Sequence, residues 1–398
     1  LSPSNITNVT VLKDAAASSI YGARAANGVI VIQTQQGTKD GKIHVHYDGS
    51  IKINPIPAVS GLNLTNSAEL VKLQEEGFAY HHTAREAEKY FTNPILSLLY
   101  DLEAGDITRA EYDRRSSEYG QLDNRSQIET NFLRSRTNSQ HNLLLRGGAA
   151  KNNYSLSLNY LGELPHNSHA REDQLSFGLR NHFQFFNWLN GNIGIDIHNV
   201  TSEAYNGVSN PFSLYTDYPS YYMLQDKSGA SLPLPQLKSR SELDRLIGLG
   251  LEDEAFYPMD AIEKEKFSSN RMHYRFNFGL NFKFNSHLNA DLKYQRETGS
   301  LKSRQDYADD SYYVRSMVNN AAQVNGNVIT YNVPLGSQLS QVRGDHNSYT
   351  LRTQLNYDNI IADTHLVTAL AGAEVRAVKN TPTTNYSMGY DDNTLQYK

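Results

Sequence analysis

The 398-residue sequence predicts an all-β membrane protein, in which part of a large antiparallel transmembrane β-barrel follows the end of a small α+β unit. Two observations lead to this fold class. Several runs alternate between apolar and polar side chains over about ten residues, the length that a strand needs to cross a bilayer. The connections between these runs are alternately short and long, as in barrels that have tight turns at one end and loops at the other.

The composition of the chain excludes several other classes of protein. Hydrophobic residues make up only 39%, and no run approaches about eighteen consecutive apolar residues, which excludes a transmembrane helix. The 37 basic and 42 acidic side chains give a net charge of −5, which argues against nucleic acid as a partner. Because cysteine is absent, a disulfide scaffold, a cysteine-based zinc site and a thiol nucleophile are ruled out.

Residues 1–38 form the first predicted unit, with the order strand, helix, strand. Apolar residues within 6–12 indicate a strand, and Asp14 can cap a short helix at 15–21. A second apolar strand follows at 29–32, after an Ala-Asn-Gly turn. Since the chain begins in strand-like sequence without an initiator methionine or a signal peptide, we expect it to be a piece of a longer protein.

From residue 43 onward, period-two alternation predicts nine strands. In the clearest run, 271–284, every even position is apolar and most of these side chains are aromatic. Tyrosines that end an apolar stripe, such as Tyr154 and Tyr160, suit the aromatic girdles of a barrel, and Trp188 lies in a short turn at the same level. A soluble β-sandwich also alternates, but it requires neither such long strands nor alternating connection lengths.

The connections between the nine strands are more informative than the strands themselves. Their lengths are 84, 5, 11, 4, 70, 2, 47 and 6 residues, so every second connection is short. The long loops are 55–138, 201–270 and 299–345. Bacterial single-chain barrels have an even number of strands, and residues 378–398 read as a further loop, so we expect only about half a barrel here.

Helices are predicted inside the first long loop. Asn66 followed by Glu69 forms a capping-box pattern ahead of an apolar helix face. A second helical stretch covers 84–103, and Pro94 is expected to bend or divide it.

Three stretches carry a resemblance to a known family. Residues 11–32, VLKDAAASSIYGARAANGVIVI, closely resemble the late plug-domain motif of SusC/RagA-like TonB-dependent outer-membrane transporters. Residues 141–148, HNLLLRGG, and 154–160, YSLSLNY, resemble the early barrel of that family, in which a plug fills a barrel of about 22 strands. The resemblance implies that 1–38 is the C-terminal part of the plug domain and 43–398 the N-terminal part of the barrel.

The resemblance also implies a function, which is TonB-dependent import of an oligosaccharide or an oligopeptide across the outer membrane of a Gram-negative bacterium. A SusD-like surface lipoprotein would close the extracellular mouth, and outer-membrane lipid would surround the barrel. TonB of the inner-membrane energising complex would pull on an N-terminal segment that this chain lacks. Two alternatives stay open. One is a TonB-linked signalling receptor, and the other is a secreted β-rich glycan-binding protein or adhesin.

Charged residues of the plug are predicted to contact charged residues of the barrel wall and to keep the plug seated. The plug residues are Lys13, Asp14 and Arg24. The wall residues, which line the lumen or contact the plug, are Arg275, Lys283, Asp291 and Lys293. The alternative for the plug residues is that they only cap and solvate a short helix.

The tyrosine-rich part of the second long loop is the predicted ligand contact. A tyrosine offers a flat apolar face for stacking and a hydroxyl for hydrogen bonds, which suits either sugars or peptides. The competing hypothesis is that these side chains pack the loop or meet the lid protein. The residues are Tyr205, Tyr215, Tyr218, Tyr221 and Tyr222.

No catalytic or metal site is predicted, and the chain is not expected to be an enzyme. His44 and His46 share one strand face but lack a third ligand at a supportive spacing, so we expect exposed histidines there and at 81–82. The acidic clusters at 252–254 and 306–310 suit either Ca²⁺ or, as we favour, a solvated loop. No Ser-His-Asp order and no acid–base pair of carboxylates emerges.

Overall fold

The main feature of the fold is one antiparallel sheet of ten strands, accompanied by two small two-stranded sheets. The computed structural model describes residues 6–13, 27–58, 63–80, 93–205, 207–235, 238–326, 328–361, 364–391 and 396–397. In the large sheet each strand pairs with its neighbours in chain order, except that the small β10–β11 hairpin is passed over. Within the described ranges, no helix is long and apolar enough to cross a membrane.

The elements have the following bounds. The strands are β1 Ile6–Leu12, β2 Val29–Thr34, β3 His44–Asn54, β4 Arg136–Ala149, β5 Asn152–Leu164, β6 Ala170–Phe186, β7 Leu189–Tyr205, β8 Glu265–Lys283, β9 Leu288–Tyr307, β10 Ala322–Asn325, β11 Val328–Tyr331, β12 Ser337–Ile361, β13 His365–Asp391 and β14 Gln396–Tyr397. The helices are α1 Ser67–Tyr80, α2 Pro94–Ala104, α3 Arg109–Gly120, α4 Arg125–Phe132, α5 Ser213–Asp217, α6 Arg240–Gly248, α7 Pro258–Lys264 and α8 Tyr312–Ala321.

The strands of the large sheet bury polar side chains and expose apolar ones. In β5, Ser155 and Ser157 are only 4% and 9% exposed, whereas Leu158 is 41% exposed. In β8, Tyr274 and Phe276 are 45% and 40% exposed and point away from the polar face. A soluble sandwich would bury the apolar face instead, so the sheet is the wall of a transmembrane barrel with a polar interior.

Short turns and long loops alternate along the large sheet, as the sequence predicts. The short connections β4–β5, β6–β7, β8–β9 and β12–β13 lie at one end, and the β3–β4, β7–β8 and β9–β12 connections at the other contain the helices. Aromatic rings gather at the turn end, where Trp188 stacks on Phe186 with 5.5 Å between ring centroids and lies 6.3 Å from Phe282. Such rings suit the boundary between lipid and water.

At the end of the sheet that carries the long loops, several strands extend further than the sequence predicts. The predicted bounds of the loops 299–345 and 378–398 are wrong. Strand β9 extends to Tyr307, β12 starts at Ser337 and β13 extends to Asp391. In these extensions both faces are largely polar, so the alternation that marks a membrane strand disappears. Backbone pairing between β12 and β13 nevertheless continues to Ser337, since ladder hydrogen bonds do not require apolar side chains.

The first two helices of the first long loop have clear capping residues. The predicted capping box at the start of α1 is confirmed, because the Glu69 amide donates to Asn66 Oδ1 at 2.9 Å and the Asn66 amide donates to Glu69 Oε2 at 3.4 Å. Pro94, which was expected to bend or divide a helix, begins α2, where its missing N–H is not needed, and Asn93 Oδ1 accepts from the Leu96 amide at 2.9 Å. The rest of that predicted helix, 84–92, lies outside the described residues.

The long loops between β3 and β4 and between β7 and β8 pack on each other and form a helical cap. One apolar core of the cap gathers α4 and α5 around Phe132 and Leu214, which are 1% and 3% exposed. A second core gathers α1, α2 and α3 around Ile95 and Tyr112, both fully buried. This cap is therefore organised like a water-soluble protein.

Candidate functional site on the polar face of the sheet

Charged side chains of alternating sign form a row across four strands on the polar face. Arg180 Nη2 on β6 donates to both oxygens of Asp196 on β7, at 2.7 and 2.9 Å. Asp196 lies directly opposite Arg275 on β8, and Arg275 Nε donates to Glu297 on β9 at 2.7 Å. We call Arg180, Asp196, Arg275 and Glu297 the charge row. Because each charge of the row lies beside an opposite one, none of these four side chains is an isolated charge on the polar face.

A second set of hydrogen bonds lies on the same face, nearer the turn end of the wall. Asp291 on β9 accepts from the side-chain amides of Asn281 at 3.0 Å and Asn356 at 3.1 Å. Arg275 and Asp291 therefore lie on the polar face, where the sequence predicts them. Lys283 and Lys293 follow the same alternation and are exposed on that face.

The chain between β2 and β3 crosses this wall in close contact. Ser155 Oγ on β5 donates to the Gln35 carbonyl at 3.1 Å, and the Gly41 amide donates to the Gly148 carbonyl at 2.8 Å. Thr34 and Gln35 enclose a small cavity against Ser155, Arg180 and Asp196. The chain thus leaves the first unit directly against the charge row. We call residues 35–41 the exit segment.

Of the three predicted plug residues, only Lys13 lies within the described part of the chain. Asp14 and Arg24, like the predicted helix at 15–21, lie outside the described residues, and Lys13 is exposed at the end of β1. Sequence reasoning missed Gln35 and Ser155, whose bond joins a backbone carbonyl to a serine and leaves no charge pattern. The glycines at 37 and 148 were the available signal, since glycine allows two backbones to approach closely.

Two of the predicted ligand tyrosines are buried in the cap. Tyr215 is 6% and Tyr221 2% exposed, and burial raises the pKa of Tyr215 to about 12, so its hydroxyl is neutral at physiological pH. Tyr221 packs edge-on against Tyr119 and accepts a hydrogen bond from Gln74 at 3.1 Å. For these two side chains the geometry supports the competing hypothesis that they pack the loop.

The other three predicted tyrosines are half-buried. Tyr222 lies 4.8 Å from Tyr221 between ring centroids, and Tyr205 lies edge-on to His169. Tyr218 lines a cavity of about 240 Å³ together with Arg125, Pro219 and the more deeply buried Tyr215. Of the five, Tyr218 keeps the most suitable position for a ligand contact, which stays a prediction.

Of the histidines considered as metal ligands, His44 has a protein partner. Asp40 Oδ2 bonds His44 Nε2 at 2.7 Å, and this hydrogen bond lowers the pKa of Asp40 to about 2. No group of three or more histidines and carboxylates that could hold a metal ion occurs in the part of the chain that the structure describes. His46 is exposed, and residues 81–82 lie outside the described ranges.

The acidic clusters of the long loops are likewise compensated by cations of the chain. Glu254 is 6% exposed and bonds Lys238 Nζ at 2.5 Å. Asp306 pairs with Arg304 at 2.6 Å, and Asp310 pairs with Lys264 at 2.9 Å. A bound Ca²⁺ would have to displace these cations, so the solvated or ion-paired loop remains the better interpretation.

The fold and this site define part of a large antiparallel transmembrane β-barrel with a polar inner wall. Over its whole length the chain has the same fold as 41% of a chain of the RagAB peptide importer in its closed-closed state, with a TM-score of 0.69 and 20% sequence identity. The open-open state of that importer gives a TM-score of 0.67.

Short stretches of the sequence match curated TonB-dependent receptors. The chain is 46% identical to the TonB-dependent receptor SusC of Bacteroides thetaiotaomicron over 54 residues, which is 14% of this chain and 5% of that receptor. It is 37% identical to the TonB-dependent receptor P39 of Formosa agariphila over 75 residues, 18% of this chain and 7% of that receptor. No protein-family model matches the chain. The predicted resemblance to SusC/RagA-like TonB-dependent transporters is confirmed.

Proposed function

We propose that this chain forms part of a TonB-dependent transporter that imports a nutrient across the outer membrane of a Gram-negative bacterium. The observation that carries the proposal is the contact between the exit segment and the polar inner wall of a sheet whose apolar face is exposed. A barrel wide enough for a nutrient has an aqueous lumen, and a plug must fill it to keep the membrane sealed. Residues 1–38 would be the end of that plug, and no covalent chemistry is required of the chain.

The partners and the substrate belong to the same proposal. A SusD-like surface lipoprotein would act as a lid, and TonB would supply the force through a segment that precedes the residues seen here. The substrate would be an oligosaccharide or an oligopeptide. The name of the RagAB importer refers to peptides, whereas the half-buried Tyr218 beside Arg125 suits either class, since tyrosine stacks on sugars as well as on peptide groups.

The two alternative functions, a secreted adhesin and a signalling receptor, agree with the structure to different degrees. A secreted adhesin would not expose the apolar stripe of β8, where Tyr274 and Phe276 are 45% and 40% exposed. A TonB-linked signalling receptor would share the same wall and exit segment, so only its output distinguishes it from an importer.

Deletion of the gene in its native host tests the proposal. We expect uptake of either labelled oligosaccharides or labelled oligopeptides to fall at least tenfold, and to recover when the gene is supplied on a plasmid. Uptake should fall equally when TonB is removed. Unchanged uptake of both substrate classes together with altered transcription would favour the signalling receptor, and release of the protein from membranes without detergent would favour the secreted protein.

A further inference from the structure

Two cations lie side by side on the outward-facing side of β9 and β12. Lys302 and Arg343 are directly opposite each other in the strand register, and both are exposed. Side chains in this arrangement have Cβ atoms about 5 Å apart, and like charges there repel each other. The pair shares a face with Phe276, because Phe276 lies opposite Arg296 and the side chains of β9 alternate. Nearer the turn end, this face is the one that meets lipid.

Two further cations lie on this face between the pair and the apolar band. Arg296 precedes Lys302 by six residues on β9, and Lys379 on β13 lies opposite Asn347 of β12. Both are exposed, and Arg296 donates to the neutral side-chain oxygen of Asn347 at 3.2 Å. Among the described residues of this part of the face, the carboxylate is Asp345, so four positive charges stand against one negative charge. We call Arg296, Lys302, Arg343 and Lys379 the basic patch.

The chain does not supply counter-charges for most of this patch. Arg304, two residues beyond Lys302 on the same strand face, pairs with Asp306 at 2.6 Å. Within the described residues, by contrast, no ion pair includes Lys302, Arg343 or Lys379. Repulsion between two adjacent cations without a carboxylate costs stability, so the counter-charge has to come from outside the chain.

The height of the patch on the wall indicates what lies against it. On β12 the outward apolar stripe contains Leu351 and ends at Tyr349, which are 40% and 38% exposed. A rise of about 3.3 Å per residue and a tilt of about 40° place Lys379 about 5–10 Å and Arg343 about 15 Å beyond Tyr349. In the outer membrane of a Gram-negative bacterium, this layer contains the phosphorylated sugars of lipopolysaccharide.

We propose that the basic patch binds the phosphate groups of a lipopolysaccharide molecule in the outer leaflet. Lysine and arginine form charge-assisted hydrogen bonds with phosphate oxygens, and the phosphate charge offsets the repulsion between Lys302 and Arg343. Arg296 and Lys379 contact phosphate next to the acyl chains, and the Lys302–Arg343 pair contacts phosphate on sugars further out. This inference rests on the proposed function, because it requires the apolar face to lie in the outer membrane.

Binding of purified lipopolysaccharide to the delipidated full-length transporter in detergent tests the proposal. Lys302→Gln with Arg343→Gln should weaken binding about tenfold or more in a native mass spectrometry titration, because two phosphate contacts are lost. The matched control is Lys293→Gln with Arg352→Gln. These two residues are also directly opposite each other on β9 and β12, but they lie on the lumen face. We expect the control to bind like the parent protein.

Three results would overturn the proposal. Equal losses for the two pairs would show that lipopolysaccharide responds only to the overall charge of the protein. Equal binding of intact and enzymatically dephosphorylated lipopolysaccharide to the parent protein would exclude recognition of phosphate, and this comparison needs no variant to fold. Displacement of lipopolysaccharide by an excess of inorganic phosphate would indicate a site for free anions instead of a lipid.

The binding measurement separates this inference from the proposed function, because it does not depend on transport. A protein that imports nothing but binds lipopolysaccharide through the patch would contradict the proposed import alone. A protein that imports its nutrient and binds dephosphorylated lipopolysaccharide as tightly as the intact form would contradict this inference alone.

Discussion

The wall and the cap of this chain have opposite interiors. In the wall, Ser155 and Ser157 are buried while Leu158 is 41% exposed. In the cap, Phe132 and Ile95 are buried at 1% and 0% exposure, as in any soluble domain. The two regions belong to one chain, and the difference reflects the medium outside each of them. Lipid surrounds the wall and water surrounds the cap, and each region turns outward the side chains that its medium solvates best.

The largest effect is expected for removal of a large side chain from a cap core. Phe132→Ala should destabilise the cap by about 3–5 kcal/mol, because it removes a buried ring and leaves a cavity. Limited proteolysis of the cap should accelerate, while the resistance of the barrel to unfolding in SDS stays unchanged. Leu73→Ala, at a side chain that is 59% exposed in the same cap, should change proteolysis little. Equal loss of barrel and cap would show that the two regions fold as one.

The second largest loss of stability is expected for a charge placed on the lipid face of the wall. Phe276→Arg should cost about 2–4 kcal/mol, the range for a cation near the middle of the lipid face of a barrel. Urea unfolding in lipid vesicles measures this change. The same substitution on the exposed side of the cap, Leu73→Arg, should be nearly neutral because water solvates it. If Leu73→Arg destabilised more than Phe276→Arg, the assignment of lipid and water to the two regions would be reversed.

A break in the charge row should have a moderate effect. Asp196→Asn leaves Arg180 without its carboxylate, and since about a quarter of each side chain is exposed, we expect a cost of about 2 kcal/mol, below that of a fully buried pair. The double variant Arg180→Gln with Asp196→Asn should recover part of this loss, as a double-mutant cycle in urea would measure. Strictly additive costs would mean that the two groups do not stabilise the wall through each other.

The smallest effect is expected at a helix cap. Asn93→Ala removes the side-chain oxygen that accepts from the Leu96 amide and should cost about 1 kcal/mol of cap stability. Hydrogen exchange at the first turn of α2 should become faster, and exchange in the strands should not change. Asn93→Ser, which preserves an acceptor, should behave like the parent chain, so a loss there would point to a role other than capping.

The sequence predicts the strands best where each has one lipid face. Residues 271–284 alternate because Phe276 and Phe282 meet lipid while Arg275 and Asn281 face the lumen. The ends of β9, β12 and β13 were predicted as loops because both faces of these extensions meet water. Pro94 was expected to bend or divide the helical stretch at 84–103, and the structure places it in the first turn of α2, behind the cap at Asn93.

The sequence predicts the site residues less well than the strands, and the physical reason differs from one residue to another. Tyrosine is amphipathic, so the sequence of the 201–270 loop does not show whether Tyr221 faces a ligand or Tyr119. The cations that neutralise Glu254 and Asp310 come from other parts of the chain. A backbone carbonyl such as that of Gln35 has no sequence signature at all.

What the sequence determined by itself is local in origin. Period-two alternation determined which residues form strands and which face is apolar, and the spacing of Asn66 and Glu69 determined where a helix begins. Only the tertiary structure decided that Asp196 lies between Arg180 and Arg275, that Ser155 donates to the Gln35 carbonyl, and that Tyr215 is buried. These contacts depend on strand register and on the meeting of distant loops. Alternation repeats every two residues along one strand, so it determines which face a residue takes but not which residue of another strand lies opposite.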